Sequence, residues 1–464
     1  MSIFDFLELH TFLIICEILI LIVVVHMIAD KQNPTSMIAW ILAIILIPYI
    51  AVPCYFIFGI RKRKRPRHKS TAELRRINHV DESKPHPIRT VLINQGIPAP
   101  TSNNNFQLYT DGIKAFDALI RNIENARETI YMSTYVFQKD SVTLRLLHLL
   151  TQKAQSGVRV KLLIDSLGSY RVYFLYQRIF KKLKKASGQV CFFMPIVQMP
   201  FRNYINFRNH RKIYLFDNQT VLTGGMNLGN EYMGPSLCEK RWGDLLFEIQ
   251  GHSVCHFHNI FVSDWAYAAK EKIPALSDLC QDKHFGNSLL QVVPSGPDIV
   301  ADALYESLIA GIYAAQKRIW IVTPYFVPSD SLLEALKIAY YRGIDVKLIT
   351  PKISNHLIAD LARSNSMRQL HKIGVEVVLF EKQMIHAKAV LFDDKAVMLG
   401  SVNLDNRSLF LNYEIVTFAY DDMIINEIHQ WMSVFLIGAT NQLQTPSRGR
   451  KFGENFVKLL SPLL

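Results

Sequence analysis

His210-Arg211-Lys212, four residues to Asp217, then six to Gly224-Gly225-Met226-Asn227, is matched later in the chain by His386-Ala387-Lys388, four residues to Asp393, then six to Gly400-Ser401-Val402-Asn403. With each fixed residue at a usage of a few per cent, one such string is expected at on the order of one in ten million starting positions, so two in one chain exclude coincidence. The surrounding residues repeat as well. Ala115 to Phe137 reads as an amphipathic helix running into the strand Ile130-Tyr131-Met132-Ser133-Thr134, and Leu304 to Phe326 repeats it with Ile319-Trp320-Ile321-Val322-Thr323. Each is followed by a helix ending in Gly and a buried strand, at 157–164 and 343–349. Strands alternating with helices of this length predict an α/β sandwich. The repetition predicts two such halves, 106–285 and 286–464, related by a pseudo-twofold axis.

The spacing carries chemistry. Ile213-Tyr214-Leu215-Phe216 and Ala389-Val390-Leu391-Phe392 are strand formers, so each His-x-Lys is expected on a strand with both side chains on one face. Such a pair suits a phosphodiester: a neutral imidazole attacks phosphorus while the ammonium neutralises the anionic oxygens. Covalent transfer needs two imidazoles, one to attack and one to protonate the leaving alcohol, and the duplication supplies both. One must then be neutral and the other protonated, which predicts a bell-shaped pH dependence. The glycine turns bring small groups to the phosphate, with Asn227 and Asn403 as side-chain donors. The sequence holds no carboxylate cluster suited to magnesium, so no metal and no cofactor are expected.

From about Asp111 to the C-terminus the doubled motif resembles the phospholipase D superfamily. Asn403-Leu404-Asp405-Asn406-Arg407-Ser408, Asn412-Tyr413-Glu414, the ending Leu459-Leu460-Ser461-Pro462-Leu463-Leu464, and Trp40, Pro48, Tyr55 and Gly59 near the N-terminus are similar to bacterial cardiolipin synthases. The resemblance implies two phospholipase D-like repeats sharing one active site. It implies transfer of a phosphatidyl group between two phosphatidylglycerols through a phosphohistidine, giving cardiolipin and glycerol; a phospholipid hydrolase and a membrane-tethered nuclease are the rivals that use the same motif. His210, Lys212, Asp217, His386, Lys388 and Asp393 form the implied catalytic set, the aspartates more structural than chemical. Asn227, Ser401, Asn403 and Arg407 are implied to bind substrate. Asp244 and Glu414 are implied to hold the histidines from their far ring nitrogens. By the superfamily's usual order His210 attacks and His386 serves as acid, then base. Gly225 stands where the second half has Ser401, leaving the first half one hydroxyl short.

The rest of the chain points to a membrane. Hydrophobic residues make up 50% of the 464, which excludes disorder as a description of the whole. Lys plus Arg number 52 against 39 Asp plus Glu, a net charge of +13, which favours anionic partners. Phe12 to Ala29 and Met37 to Ile60 are each apolar enough and long enough to cross a bilayer, predicting a two-helix transmembrane hairpin over residues 1–60. Asp5 and Glu8 stand where a signal peptide would carry positive charge. Arg61-Lys62-Arg63-Lys64-Arg65-Pro66-Arg67-His68-Lys69 then predicts a basic juxtamembrane linker, 61–105, and a catalytic part facing the cytoplasm. Such a run binds anionic headgroups with about 1 kcal/mol per basic residue. With the resemblance, this implies a multi-pass protein of the bacterial cytoplasmic membrane whose partners are phosphatidylglycerol and anionic lipids, with no nucleic acid expected. Pro48 and Pro53 predict a kink, and Glu17 is an intramembrane carboxylate, costly unless functional, interfacial or protonated. The six cysteines form no Cys-x-x-Cys pair and read as reduced thiols. His252, Cys255, His256 and His258 look like metal ligands, but Val254, Phe257, Phe261 and Trp265 at helical spacing favour a core helix. Tyr173, Tyr176, Phe180 and Leu183 among Arg178, Lys181, Lys182, Lys184 and Lys185 fit either an interfacial helix or one packed on its own sheet. Residues 201–207 fit either a lipid-admitting loop or core aromatics.

Overall fold

The computed structural model describes residues 3–29, 34–55, 86–196, 206–276, 283–299, 301–437, 439, 443 and 445–459. The basic run 61–69, the loop residues 201–205 and the last five residues lie outside them. Helices α1 (Ile3–Ala29), α2 (Pro34–Leu46), α3 (Pro48–Cys54) and α4 (Pro87–Asn94) come first. The first half then runs β1 (Thr101–Tyr109), α5 (Gly112–Asn125), β2 (Thr129–Thr134), α6 (Ser141–Gln155), β3 (Arg159–Asp165), α7 (Tyr170–Leu175), α8 (Lys181–Lys185), β4 (Gln189–Phe193), β5 (Ile213–Phe216), β6 (Thr220–Gly224), β7 (Leu246–Gly251) and α9 (Ser253–Ala269). The second runs β8 (Ser288–Ser295), α10 (Ala303–Ala314), β9 (Arg318–Val322), β10 (Phe326–Val327), α11 (Asp330–Tyr341), β11 (Asp345–Pro351), α12 (Leu357–Lys372), β12 (Glu376–Phe380), β13 (Ala389–Phe392), β14 (Ala396–Gly400), β15 (Leu404–Asp405), α13 (Asn406–Phe410), β16 (Glu414–Ala419), α14 (Asp422–Val434) and α15 (Arg448–Leu459).

Among the described residues, fourteen strands form one sheet. The first half is ordered β1-β7-β6-β5-β2-β3-β4 and the second β8-β16-β14-β13-β9-β11-β12, the same path twice. Antiparallel pairing of β1 with β8 joins the two at the centre. Most of the strands, β1 and β4 excepted, are buried on both faces, which is why they read as apolar runs rather than clean alternations. In β2, Ile130 and Met132 pack under α5 and α6 while Tyr131 packs on the opposite face against α9. That second face, with α9 and α14, is one core running across both halves. The helices start where the chain supplies caps: Asp111 accepts from the Ile113 and Lys114 amides, Asp140 from Thr143 and Ser329 from Leu332.

Three expectations change here. Part of the expected linker 61–105 is packed: Ile88 and Leu92 of α4 belong to the second half's core, and β1 starts at Thr101, ahead of Phe106. The chain has to enter the sheet at its centre, so the approach to β1 is itself packed. The second apolar stretch is two helices rather than one kinked span. Pro48 pushes the preceding Ile47 out of the helical region, to φ −144° and ψ 64°, and the helix restarts with Pro48 in its first turn. Among the described residues, no helix is long and apolar enough to cross a membrane. The basic stretch at 170–185 is α7, a single 3₁₀ turn and α8; Phe180 and Leu183 face the core, while Tyr170, Phe174 and Leu175 are exposed.

Candidate active site

The two motifs meet because each is paired with the opposite half. Each His-x-Lys precedes its strand instead of lying on it, since the histidine backbone bonds to the opposite half. The His210 amide donates to Tyr413 O at 2.8 Å, and the His386 amide to Gly243 O at 2.7 Å. Isolated bridges Asn209–Tyr413 and Gly243–Ile385 fix this crossing. The residue following each partner is a carboxylate. Hence Glu414 Oε2 lies 2.8 Å from His210 Nδ1, and Asp244 Oδ2 lies 2.7 Å from His386 Nδ1. Each half orients the other half's imidazole.

A carboxylate accepts only, so both Nδ1 atoms carry the proton and both Nε2 atoms present a lone pair. Each lysine donates to the carbonyl of its own histidine, Lys212 Nζ to His210 O at 2.8 Å and Lys388 Nζ to His386 O. Lys388 Nζ also lies against the His386 ring, 2.8 Å from Nδ1 and 3.0 Å from Nε2. Burial, reinforced by Lys388, drives His386 down to about 3, and burial lowers His210 as well. Both shifts favour neutral imidazole, and a phosphate anion beside either ring acts in the opposite sense, favouring its charged form. Burial also brings Lys212 to about 7 and Lys388 to about 8. Burial alone would raise Asp244 and Glu414, but the adjacent histidines and lysines outweigh it and hold both below the usual carboxylate range.

Both histidines open into one cavity of about 350 Å³, also lined by Asn227, Asn403 and Arg407. Asn227 Oδ1 accepts from the Val136 amide at 3.2 Å. Asn403 Nδ2 donates to Ser408 Oγ at 3.3 Å, and its Oδ1 is buried with no partner. Arg407 donates to Asn206 O at 3.1 Å.

Three expected residues stand elsewhere. Asp217 takes the amides of Arg127, Glu128 and Thr129, and Asp393 those of Gln316, Lys317 and Arg318. Each lies a strand's length from its lysine, pinning the turn that enters β2 or β9, so neither carboxylate meets the substrate. Ser401 is behind the site: its Oγ donates to Glu414 Oε2 at 2.5 Å. Gly225 is required, because a Cβ there would stand 2.1 Å from Asp244 Oδ1. The longer Glu pairs with Ser and the shorter Asp with Gly. Gly224 and Gly400 lie against the neighbouring strand, where a Cβ would meet Leu245 O or Ile415 O at 2.4 Å.

Sequence reasoning missed Tyr135, whose ring stands edge-on 4.8 Å from His210, and Tyr232 and Trp242, 5.3 and 5.4 Å from His386. It also missed Asp405, a cavity residue raised to about 7 by burial, although it falls inside the quoted run 403–408. Arg211, the variable residue of the first motif, is fully buried. It donates to Glu414 O at 3.0 Å, Asp264 at 2.7 Å and Asp298 at 3.2 Å, steadying the strand that carries Glu414. The histidines of α9 pack into the core, with His258 lowered to about 4 by burial.

A family model described as cardiolipin synthase, PLD-like domain, matches residues 119–265 and 308–435, and one described as phospholipase D-nuclease N-terminal matches 18–59. Cardiolipin synthase 1 of Bacillus cereus is 31% identical over 463 residues, covering 94% of this chain and 90% of that protein. A cardiolipin synthase of Clostridium perfringens is 30% identical, with coverages of 94% and 95%. Among solved structures, phosphatidylserine synthase from Haemophilus influenzae superimposes with a TM-score of 0.62 at 18% identity, over 82% of this chain and 100% of that one. At that identity the likeness is one of fold.

Proposed function

The chain belongs to the family of cardiolipin synthases with phospholipase D-like domains, and from that membership we propose that it converts two phosphatidylglycerols into cardiolipin and glycerol. The observation that carries the mechanism is the pair of carboxylate-held imidazoles facing one cavity. His210 Nε2 attacks the phosphorus of the first lipid. The bond from phosphorus to the headgroup glycerol breaks, and protonated His386 gives that oxygen its proton. A hydroxyl of the second lipid then attacks phosphorus, the P–N bond breaks, and His386 takes the hydroxyl proton. The enzyme returns to its starting protonation. The order usual in the superfamily supports His210 as the nucleophile, and both histidines line the cavity. Lys212, Lys388 and Asn403 hold the anionic oxygens.

The same reading places the protein in a bacterial cytoplasmic membrane, anchored by residues 1–60, with the sheet on the cytoplasmic side and residues 106–285 and 286–464 as its repeats. What supports the anchor is an inverted packing. Val23, Met27, Ile44, Val52 and Tyr55 form a small buried cluster, while Ile18, Leu21, Ile22, Val25, Ile28, Leu42, Ile45 and Ile50 point outward. A surface of that kind belongs in lipid. Glu17 is exposed on the same helix, α1.

The test is the lipid product profile of purified protein in phosphatidylglycerol vesicles, with single-stranded DNA as a parallel substrate. Cardiolipin and glycerol in equal amounts are expected. Nucleotide release without new lipid would replace the reading with a nuclease, and phosphatidic acid alone would replace it with a hydrolase.

A further inference from the structure

Resting on the transferase reading above, we propose that a second cavity, beside the catalytic one, holds the phosphate of the acceptor phosphatidylglycerol. This cavity, of about 490 Å³, is walled by Gln138, Lys139, Ser169, Arg171, Tyr176 and Glu231, and it shares Val136 with the catalytic cavity. Lys139 Nζ rests 4.5 Å over the Tyr176 ring, and Arg171 Nε donates to Tyr170 Oη at 3.1 Å. Among the described residues neither forms an ion pair. Two cations against the single carboxylate of Glu231 leave the cavity lining net positive, which favours an anion there. Glu231, which accepts from Gln138 at 3.1 Å, offers a carboxylate to a hydroxyl beside that anion. A phosphate next to a hydroxylated carbon is the chemistry of a phosphatidylglycerol headgroup.

Position and duplication both favour the acceptor. The attacking hydroxyl of the second lipid must reach the phosphohistidine while its own phosphate sits only a glycerol's length away, which is the relation of the adjoining cavities. On the outer side, Tyr170, Phe174 and Leu175 are 50%, 54% and 69% exposed, an apolar lip where acyl chains leave for the bilayer. The second half differs at the position matching Lys139. Thr134 and Thr323 each donate to the carbonyl two residues on, and Asp140 and Ser329 each cap the next helix, so Lys139 falls on Pro328. There β10 and β15 pair, where the first half has the single bridge Phe137–Leu228. Lys139 is thus an addition to the repeat and not part of its scaffold.

The experiment uses the full chain in mixed vesicles of phosphatidylglycerol and phosphatidylcholine. Cardiolipin formation is divided by exchange of labelled free glycerol into phosphatidylglycerol, which needs the phosphohistidine but no second lipid. For Lys139→Gln/Arg171→Gln this ratio is expected to fall at least tenfold. A ratio within twofold of wild type overturns the site, whatever happens to the total rate. Where the double variant loses both reactions, Lys139→Gln alone is judged by the same ratio. Inorganic phosphate is expected to lower the wild-type ratio by competing with the acceptor's phosphate and to leave the double variant's ratio unchanged; a fall of the same size in both overturns the site. A wild type that exchanges glycerol but forms no cardiolipin defeats the transferase reading itself, a result distinct from failure of the site.

Discussion

At the scale of the residue, the two imidazoles share a scaffold and differ in what surrounds them. Glu414 reaches His210 with Ser401 behind it, and Asp244 reaches His386 across the space left by Gly225. Gly225→Ser would drive a Cβ into Asp244, so His386 loses its orienting acid; turnover on phosphatidylglycerol vesicles should drop by about 100-fold or more, the scale of losing a positioned acid–base group. Ser401→Ala removes one donor from Glu414 and should cost about tenfold, as losses of outer hydrogen-bond partners do at comparable sites. Equal small losses for both would show the pairing of side-chain lengths to be irrelevant. The lysines set the pH response. Their lowered values mean that the cationic clamp loses protons as pH rises through about 7 to 8. Since kcat/KM reports the free enzyme, it should decline over that range. A bound phosphodiester favours the charged lysines, so the alkaline limb of kcat should lie higher. A kcat/KM that is flat from pH 7 to 9, read from initial rates, would remove the lysines from substrate binding.

At the scale of the element, the motif aspartates show why a signature residue need not be a chemical one. Asp217 and Asp393 adopt φ of +50° and +54°, a left-handed turn that aspartate tolerates, and each gathers three backbone amides at the mouth of a strand. Asp393→Ala strands those donors and should cost about 1–3 kcal/mol of stability. Thermal unfolding should shift down by several degrees, while kcat per folded molecule stays within about threefold. Loss of kcat without a change in melting would return the residue to the chemistry. The His-x-Lys spacing was legible because it occurs twice at matching points of the duplication. That it stops short of the strand was not, because its hydrogen bonds are made to residues far along the chain.

At the scale of the whole molecule, the N-terminal helices and the sheet are separate packing units. The buried cluster of α1 to α3 runs from Val23 to Tyr55 and shares no residue with the cores of the sheet. Protein lacking residues 1–69 should therefore fold and keep labelled-glycerol exchange in detergent. On vesicles it should lose at least tenfold in rate and shift its product towards phosphatidic acid, because the anchor supplies the local density of lipid acceptor. Full-length rates and ratios from the truncated protein, read by lipid chromatography, would move that selectivity to the catalytic half. The sequence by itself determined the duplication, the α/β class, the two histidines and lysines, and the apolar N-terminus, since each is written in local spacing and periodicity. Which carboxylate serves which imidazole was decided by the tertiary structure, because Glu414 lies 204 residues from His210 and Asp244 142 residues from His386. The same holds for Arg211 beneath Glu414, for the need of glycine at 225, and for the cations of the neighbouring cavity. Periodicity records which face a side chain takes, but a contact between halves exists only once the β1–β8 pairing has brought those faces together.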